Sequence, residues 1–250
     1  MSRTLEQGLK LLKVLADLCE REDGARVPLR QIATAADMNK STVHRLLQSF
    51  TKYGFVEAHE GGAYGLGSAS LLLARAALGR NAMLAAAIPI MRDIAQQTNE
   101  TVSLSERRDL FNVTIYEIES TQPIRYANKL GNAAPLHISA GGRVVLAFSD
   151  PSVQAAVFDQ KLERITAKSI VDPTKLRTKL AEVKKAGFAI SSGERVVGTN
   201  SISVPILKSD GYAHGAMSIL WPSRGNGIDR ERIATWPPML VSAVQNLHGA

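Results

Sequence analysis

A single cysteine, Cys19, stands in 250 residues. It cannot close an internal disulfide, so a reducing compartment is expected. Lying at helical spacing from Leu15, it reads as core filler rather than a redox centre. The five histidines, His44, His59, His137, His214 and His248, show no metal-ligand spacing, and no metal site is expected. Long apolar runs are missing as well. The longest, Ala82 to Met91, is alanine-rich and holds Pro89, whereas a membrane helix needs about 20 apolar residues. The opening MSRTLEQGLK has no apolar signal core, which with the cysteine usage predicts a cytoplasmic protein and no membrane partner. Catalytic frames are absent too. There is no Gly-x-Ser-x-Gly elbow, no phosphate-binding P-loop and no Gly-x-Gly-x-x-Gly opening a helix. The expectation is a protein without cofactor that is not an enzyme.

What is present is a well-patterned chain. Hydrophobic residues make up 45% and charged residues 21%, enough for a core and too little charge for a disordered tail. Net charge is +7. That suits an anionic partner without identifying one. Residues 1–80 carry eleven Lys/Arg against eight Asp/Glu, which leaves +4 on the other 170, so the first part is denser in net charge, but not decisively.

Thr4-Leu5-Glu6-Gln7 has the form of a capping box. Behind it Leu5, Leu9, Leu12, Leu15 and Cys19 recur at helical spacing, and Arg21-Glu22-Asp23-Gly24 reads as the end of that helix. Pro28 introduces a short helix, Leu29 to Ala36, with Ile32 and Ala36 inward. After the tight link Asp37-Met38-Asn39, a third helix is predicted from Lys40 to Tyr53. Val43, Leu46, Leu47 and Phe50 form its buried stripe, and Gly54 closes it. Phe55–Ala58 and Ala63–Leu66, separated by His59-Glu60-Gly61-Gly62, make a hairpin. Three helices and a hairpin describe a winged helix-turn-helix domain.

The third helix has the chemistry of a DNA reader. Its stripe leaves Ser41, Thr42, His44, Arg45, Gln48 and Ser49 outward. Arg45 can pair bidentately with guanine and Gln48 with adenine. Lys40, Ser41 and Thr42 sit at a helix N-terminus, where free N–H groups and the dipole favour a phosphate. His59 on the wing can follow the flanking backbone. A solvated helix face explains the polarity equally well, but not the tight turn before the helix or the Gly-rich hairpin after it.

Further along, helices are predicted at 68–79 (a linking helix), 82–98, 141–148, 151–160, 173–186 and 229–247, the last broken or kinked at Pro237-Pro238. Strands are predicted at 101–106, 111–118, 125–127, 201–207 and 212–220. Lys208-Ser209-Asp210-Gly211 is a turn. This order suggests an α+β sensor-like domain.

Several segments resemble IclR-type transcriptional regulators. Asn39-Lys40-Ser41-Thr42-Val43-His44-Arg45-Leu46-Leu47, Tyr53-Gly54-Phe55-Val56 and Tyr64-Gly65-Leu66-Gly67 are similar to their N-terminal domain. Pro135 through Arg143, Gly187-Phe188-Ala189, Gly198 through Ser201 to Pro205-Ile206, and Gly215-Ala216-Met217-Ser218 are similar to their ligand domain. The resemblance runs along nearly the whole chain in order. It implies a winged helix-turn-helix domain at 1–67, a linker helix at 68–80 and a GAF-like effector-binding domain at 81–250. It also implies homodimers, pairing into tetramers as dimers of dimers, on near-palindromic double-stranded DNA operators.

Within the effector domain, Ser139-Ala140-Gly141 precedes a helix and offers backbone N–H groups to a carboxylate. Ser201 and Ser203 share one face of a strand, with Ser218 on the next. Hydroxyls on half-buried strands also bond the local backbone, a plain structural alternative. The resemblance implies Ala140, Gly141, Ser191, Ser201 and Ser218 as effector contacts. His137 could donate to an acid, though a structural hydrogen bond under a loop is the commoner role; His214 is a weaker candidate. The family commonly has an acidic residue where Ser191 stands and a cysteine where Ser201 stands. The expected effector is a small polar or aromatic organic acid, larger than the small oxo-acids and carrying a ring or an amide. A C-terminal domain that only oligomerises is the alternative.

Overall fold

The computed structural model describes residues 3–21, 26–79, 82–128, 130–223 and 229–247. Two compact units divide the chain, Met1–Asn81 and Ala82–Ala250.

In the first unit, α1 (Arg3–Arg21), α2 (Leu29–Ala36) and α3 (Lys40–Lys52) pack around one apolar cluster. The α1 stripe is rotated from the expected one. Leu11, Leu15, Leu18 and Cys19 are buried, whereas Leu5 and Leu9 are 62% and 54% exposed. Gly8 explains the difference. It occupies a buried position where the Phe50 ring stands 3.3 Å from any added Cβ, so the helix presents its bare backbone to α3 there. Thr4 is inside α1 rather than capping it, and the expected end at Arg21–Gly24 runs into residues outside the described ones.

The link between α2 and α3 turns on Asp37, which adopts the left-handed conformation (φ 53°) that Asp tolerates. Gly54 (φ 73°) closes α3. The hairpin strands β2 (Val56–His59) and β3 (Ala63–Leu66) flank a 3₁₀ turn at Glu60–Gly62. A short strand not expected from sequence, β1 (Val27–Pro28), pairs with β3 and gives the sheet order β1-β3-β2. Then α4 (Ser68–Gly79) begins, tied by the Ser70 hydroxyl donating to Phe55 O (3.2 Å).

The second unit is built on a six-stranded antiparallel sheet. Its strands are β4 (Thr101–Arg108), β5 (Phe111–Ile118), β6 (Ala133–Pro135), β7 (Ala189–Ser192), β8 (Thr199–Leu207) and β9 (Ala213–Pro222), in the order β6-β5-β4-β9-β8-β7. Period-two alternation divides its faces. Val102 and Leu104 on β4, Ile202, Val204 and Ile206 on β8, and Met217, Ile219 and Trp221 on β9 enter the main core. They pack against α5 (Ala82–Thr98) and α9 (Arg230–Val244). The alternate residues, Ser103, Ser105, Ser201, Ser203 and Ser218, face the other way, toward α6 (Ser139–Ala147). Behind α6 a separate apolar cluster gathers α7 (Pro151–Phe158) and α8 (Pro173–Ala186). The α9 helix passes through Pro237-Pro238 without a break in its span.

Two sequence expectations are corrected, and two unforeseen strands are added. Residues 125–127 form no strand, because Tyr126 O accepts the Thr101 hydroxyl instead of joining a ladder. The short strands β6 and β7 take the sheet's two edges, where few residues suffice. The helix expected at 141–148 begins at Ser139, which takes φ 68°.

α6 is buried along nearly its whole length, and this explains its composition. At Gly142 an added Cβ would stand 2.6 Å from Leu136 O, so the chain crosses itself where only glycine fits. Arg143 is fully buried. Its guanidinium donates to the Glu194 carboxylate and to Ile190 O (2.7 Å). We expect Glu194→Ala to destabilise the second unit by about 3 kcal/mol, because it strands a buried guanidinium. A fall in the urea midpoint with an unchanged slope would register this loss.

His214 on β9 points its Nε2 at Met83 Sδ (2.7 Å), and its Nδ1 is buried with no partner among the described residues. Burial lowers its pKa, and Lys208 adds to this, while Glu106 and Asp210 oppose it. The folded state therefore favours the neutral ring. Stability should hold above the ordinary histidine pKa of about 6.5 and decline as pH falls through it toward the lower folded value. His214→Phe should flatten that decline in thermal-melt series between those limits.

Candidate functional site

The first candidate site is the outer face of α3. Val43, Leu46 and Leu47 are buried against α1, α2 and β2, which fixes the opposite face outward. Lys40, Ser41, His44, Arg45, Gln48 and Ser49 are exposed, and Thr42 is half-exposed. The helix KSTVHRLLQSFTK contains no acidic residue. Ser49 spends its hydroxyl on Arg45 O (3.2 Å), a local helix bond. No ion pair restrains Lys40 or Arg45 among the described residues, so both cations remain available.

An open depression borders the N-terminus of α3, with Gln7, Arg30, Thr34, Asn39, Lys40 and Thr42 around it. Arg30 was not singled out from sequence, and Gln7 was read only as part of a capping box. Their approach depends on how α1 and α2 cross, which periodicity does not give. His59 ends β2, half-buried, with its Nε2 3.1 Å from where a Cβ on Gly65 would stand. Its ring is thus partly engaged within the hairpin.

The second candidate site is a cavity between the polar sheet face and α6, open to solvent at its mouth. Ser139, Gly141, Ser191, Ser201, Ser203 and Ser218 line it. Two residues expected beside them lie elsewhere. His137 is buried, with its Nε2 3.0 Å from Glu163 O, a structural bond under a loop. Ala140 is fully buried, its side chain packed in the apolar cluster behind α6.

Strand register arranges the hydroxyls in rows. Ser103, Ser218 and Ser203 stand opposite one another across β4, β9 and β8. Ser201 and Ser191 stand opposite across β8 and β7, and Ser105 faces Thr114 across β4 and β5. Ser203 and Ser218 share a hydrogen bond (2.7 Å), and Ser105 donates to Ala216 O (3.3 Å). The hydroxyls of Ser103, Ser191 and Ser201 have no hydrogen-bond partner among the described residues.

Gly141 faces this floor. A Cβ there would lie 3.0 Å from Asn112 Nδ2, 3.5 Å from Ser218 Oγ and 3.8 Å from Ser203 Oγ. Asn112 on β5 is buried, and its Oδ1 has no partner among the described residues. Two loops wall the mouth, and both are tied down. Asn128 donates to the Thr114 hydroxyl (2.7 Å) and, from its backbone, to Glu117 Oε1 (2.6 Å). On the other side Thr166 and Ser169 donate to Glu194 O, at 3.1 and 2.9 Å.

From these walls Tyr126 and Arg195 face the cavity. Burial depresses the Arg195 pKa, partly offset by Tyr126 and Glu117, while burial raises that of Tyr126. Asn112, Thr114, Tyr126 and Arg195 were missed from sequence. The signal for Asn112 and Thr114 was available, since they alternate with Val113 on a strand already recognised. Arg195 gave no such signal.

Chains of known proteins match this arrangement throughout. The family model for the IclR helix-turn-helix domain matches residues 4–60, and that for the bacterial transcriptional regulator IclR C-terminal domain matches residues 75–245. The transcriptional repressor IclR of Escherichia coli is 26% identical over 249 residues, covering 98% of this chain and 88% of that protein. The crystal structure of Thermotoga maritima IclR superposes with a TM-score of 0.80 at 24% identity, covering 98% and 96% of the two chains. An IclR homologue from Microbacterium hydrocarbonoxydans, crystallised with 4-hydroxybenzoate, superposes with a TM-score of 0.78 at 22% identity, covering 98% and 97%. The named relatives are transcriptional regulators and not enzymes. With both halves matched in order, the chain belongs to the IclR family of DNA-binding transcriptional regulators.

Proposed function

We propose that this regulator reads a double-stranded operator through α3 and adjusts its grip according to a small organic acid held in the cavity of the second unit. The supporting observation is the pairing of an acid-free, unengaged basic helix face with a hydroxyl-lined cavity. That a similar structure holds 4-hydroxybenzoate supports a small-molecule ligand for this cavity. The working division is 1–67 for DNA reading, 68–80 for the link in sequence, and 81–250 for the effector. Lys40, Ser41, Thr42 and His59 position the protein on phosphates, while His44, Arg45 and Gln48 face base edges. Ser139, Gly141, Ser191, Ser201, Ser203 and Ser218 contact the effector.

Homodimers, alone or paired into tetramers, fit a palindromic operator. Leu71, Leu72 and Leu73 on α4, 60–72% exposed, offer an apolar surface for such association. No helix among the described residues is long and apolar enough to cross a membrane, in keeping with a cytoplasmic regulator.

The effector acts by binding two conformations unequally. A coupling of about 1–3 kcal/mol changes DNA affinity roughly 5- to 150-fold. Arg45→Ala should cost about 1–3 kcal/mol on the preferred operator and relax base preference at one position. Lys40→Ala should weaken all sequences alike and reduce the salt slope by about one. Fluorescence anisotropy on operator and scrambled duplexes across a salt series separates the two. Normal operator binding by Arg45→Ala would refute the assignment of α3.

Gly141→Ala should fold with a modest loss of stability, since the new methyl meets a side-chain amide rather than backbone. It should also lose most effector affinity by filling the cavity floor. A thermal-shift screen of organic acids on both proteins tests this: an acid that raises the melting point of the parent should leave the variant unmoved.

A further inference from the structure

The composition of the cavity wall narrows the ligand. Much of its free hydrogen-bonding capacity comes from Ser103, Ser191 and Ser201, whose hydroxyls lack partners among the described residues, and from Asn112, whose buried Oδ1 has none there either. These groups sit on four different strands, so their unused capacity spreads across the floor instead of converging at one point. Neighbouring strands are about 4.8 Å apart, which makes the floor an array of hydroxyls at regular intervals. Its apolar side chains are few but broad, chiefly Val196, Leu220 and the Tyr126 ring.

Charge is disposed just as unevenly. Glu194 is neutralised by Arg143. Arg195, half-buried at the wall, has no ion pair within salt-bridge distance among the described residues, only the longer-range field of Glu117 and the Tyr126 hydroxyl. A half-buried cation without a contact partner favours an anion beside it. A planar aromatic acid would satisfy the cation but press its ring against hydroxyls and an amide left unpaired, and such sites discriminate strongly against ligands lacking the matching groups.

We propose that the effector is a polyhydroxylated carboxylate of the aldonate type, its carboxylate on Arg195 and its chain hydroxyls on the serine rows and Asn112. This rests on the effector reading above and deepens it. Arg195 is then the specificity residue for the acid group, separate from the backbone N–H groups of α6.

Calorimetry on the full-length protein decides the matter with matched probes. These are D-gluconate, D-galactonate and D-mannonate, D-glucitol for the hydroxyls without the charge, hexanoate for the charge without the hydroxyls, and 4-hydroxybenzoate for the ring. At least one aldonate should bind about 100-fold or more tighter than glucitol, hexanoate and 4-hydroxybenzoate. Arg195→Gln should remove most of the preference for that aldonate over glucitol, with the ligand-free melting point unchanged, and Arg195→Lys should restore part of it.

Tighter binding of hexanoate or 4-hydroxybenzoate than of every aldonate overturns the ligand class and leaves the effector reading standing. An aldonate preference that survives Arg195→Gln overturns the role of Arg195. Silence from all six probes overturns the inference. The effector reading then falls as well only if a broad acid screen yields no compound that shifts the parent protein but spares Gly141→Ala.

Discussion

The second unit depends on a charge that has nowhere to go. Arg143 lies at the centre of α6 with none of its side chain exposed, and no apolar surroundings tolerate a guanidinium alone. Glu194 meets that charge, and Ile190 O takes a further N–H. Because Glu194 follows β7, the ion pair locks the edge of the sheet and the following loop onto α6. Thr166 and Ser169 hold the same loop from outside through Glu194 O. The wall that carries Arg195 and Val196 is therefore fixed by a contact made on the far side of the chain. Such pairs add little net stability over an apolar substitute, but they dictate one arrangement, and here that arrangement forms the cavity.

The same sheet divides stability from recognition. One face carries Val, Ile, Leu, Met and Trp into a continuous core against α5 and α9, finished by Trp221 and Trp236 at 5.1 Å and by Arg232 bonded to Glu100 (2.7 Å). The other carries serines with spare hydrogen-bonding capacity. A face so polar can be covered only if α6 brings small residues near it, and Gly141 does so. The first unit follows the same logic on a helix, with a stripe of Val43, Leu46 and Leu47 holding α3 while its opposite face stays basic and unengaged.

How much of this was legible in the sequence follows from where each feature is encoded. The α3 face is local: a 3.6-residue period fixes which residues are buried, and so which are not. Ser201, Ser203 and Ser218 were legible because strand alternation is also local. Alternation puts Asn112 and Thr114 on one face of β5, but what that face meets on β4 is set by a register shift between Leu104 and Ser105, which neither strand announces. Arg195 lies in a loop, where no period applies. Leu5 and Leu9 were misread because leucine at helical spacing looks buried, and the deciding residue was Gly8, whose missing side chain sets the rotation of α1. His137 had the right neighbourhood and the wrong direction, turned toward Glu163 O instead of the cavity. Residue type and period were readable, whereas register, helix rotation and loop placement are tertiary.

The state of the mouth bears on how a ligand could act. Both walls are already tied down, by Asn128 to Thr114 and Glu117, by Thr101 to Tyr126, and by Thr166 and Ser169 to Glu194. A ligand entering here need not order a loose lid, so little of its binding energy goes to immobilising loops. A ligand shifts an equilibrium only by its differential affinity for the two states. In a pinned cavity that difference resides in the groups left without contact partners among the described residues, such as Arg195, the Asn112 Oδ1 and the unpaired serines. The residues that choose the ligand are then the same ones through which it acts, and loosening specificity at them should weaken the response in proportion.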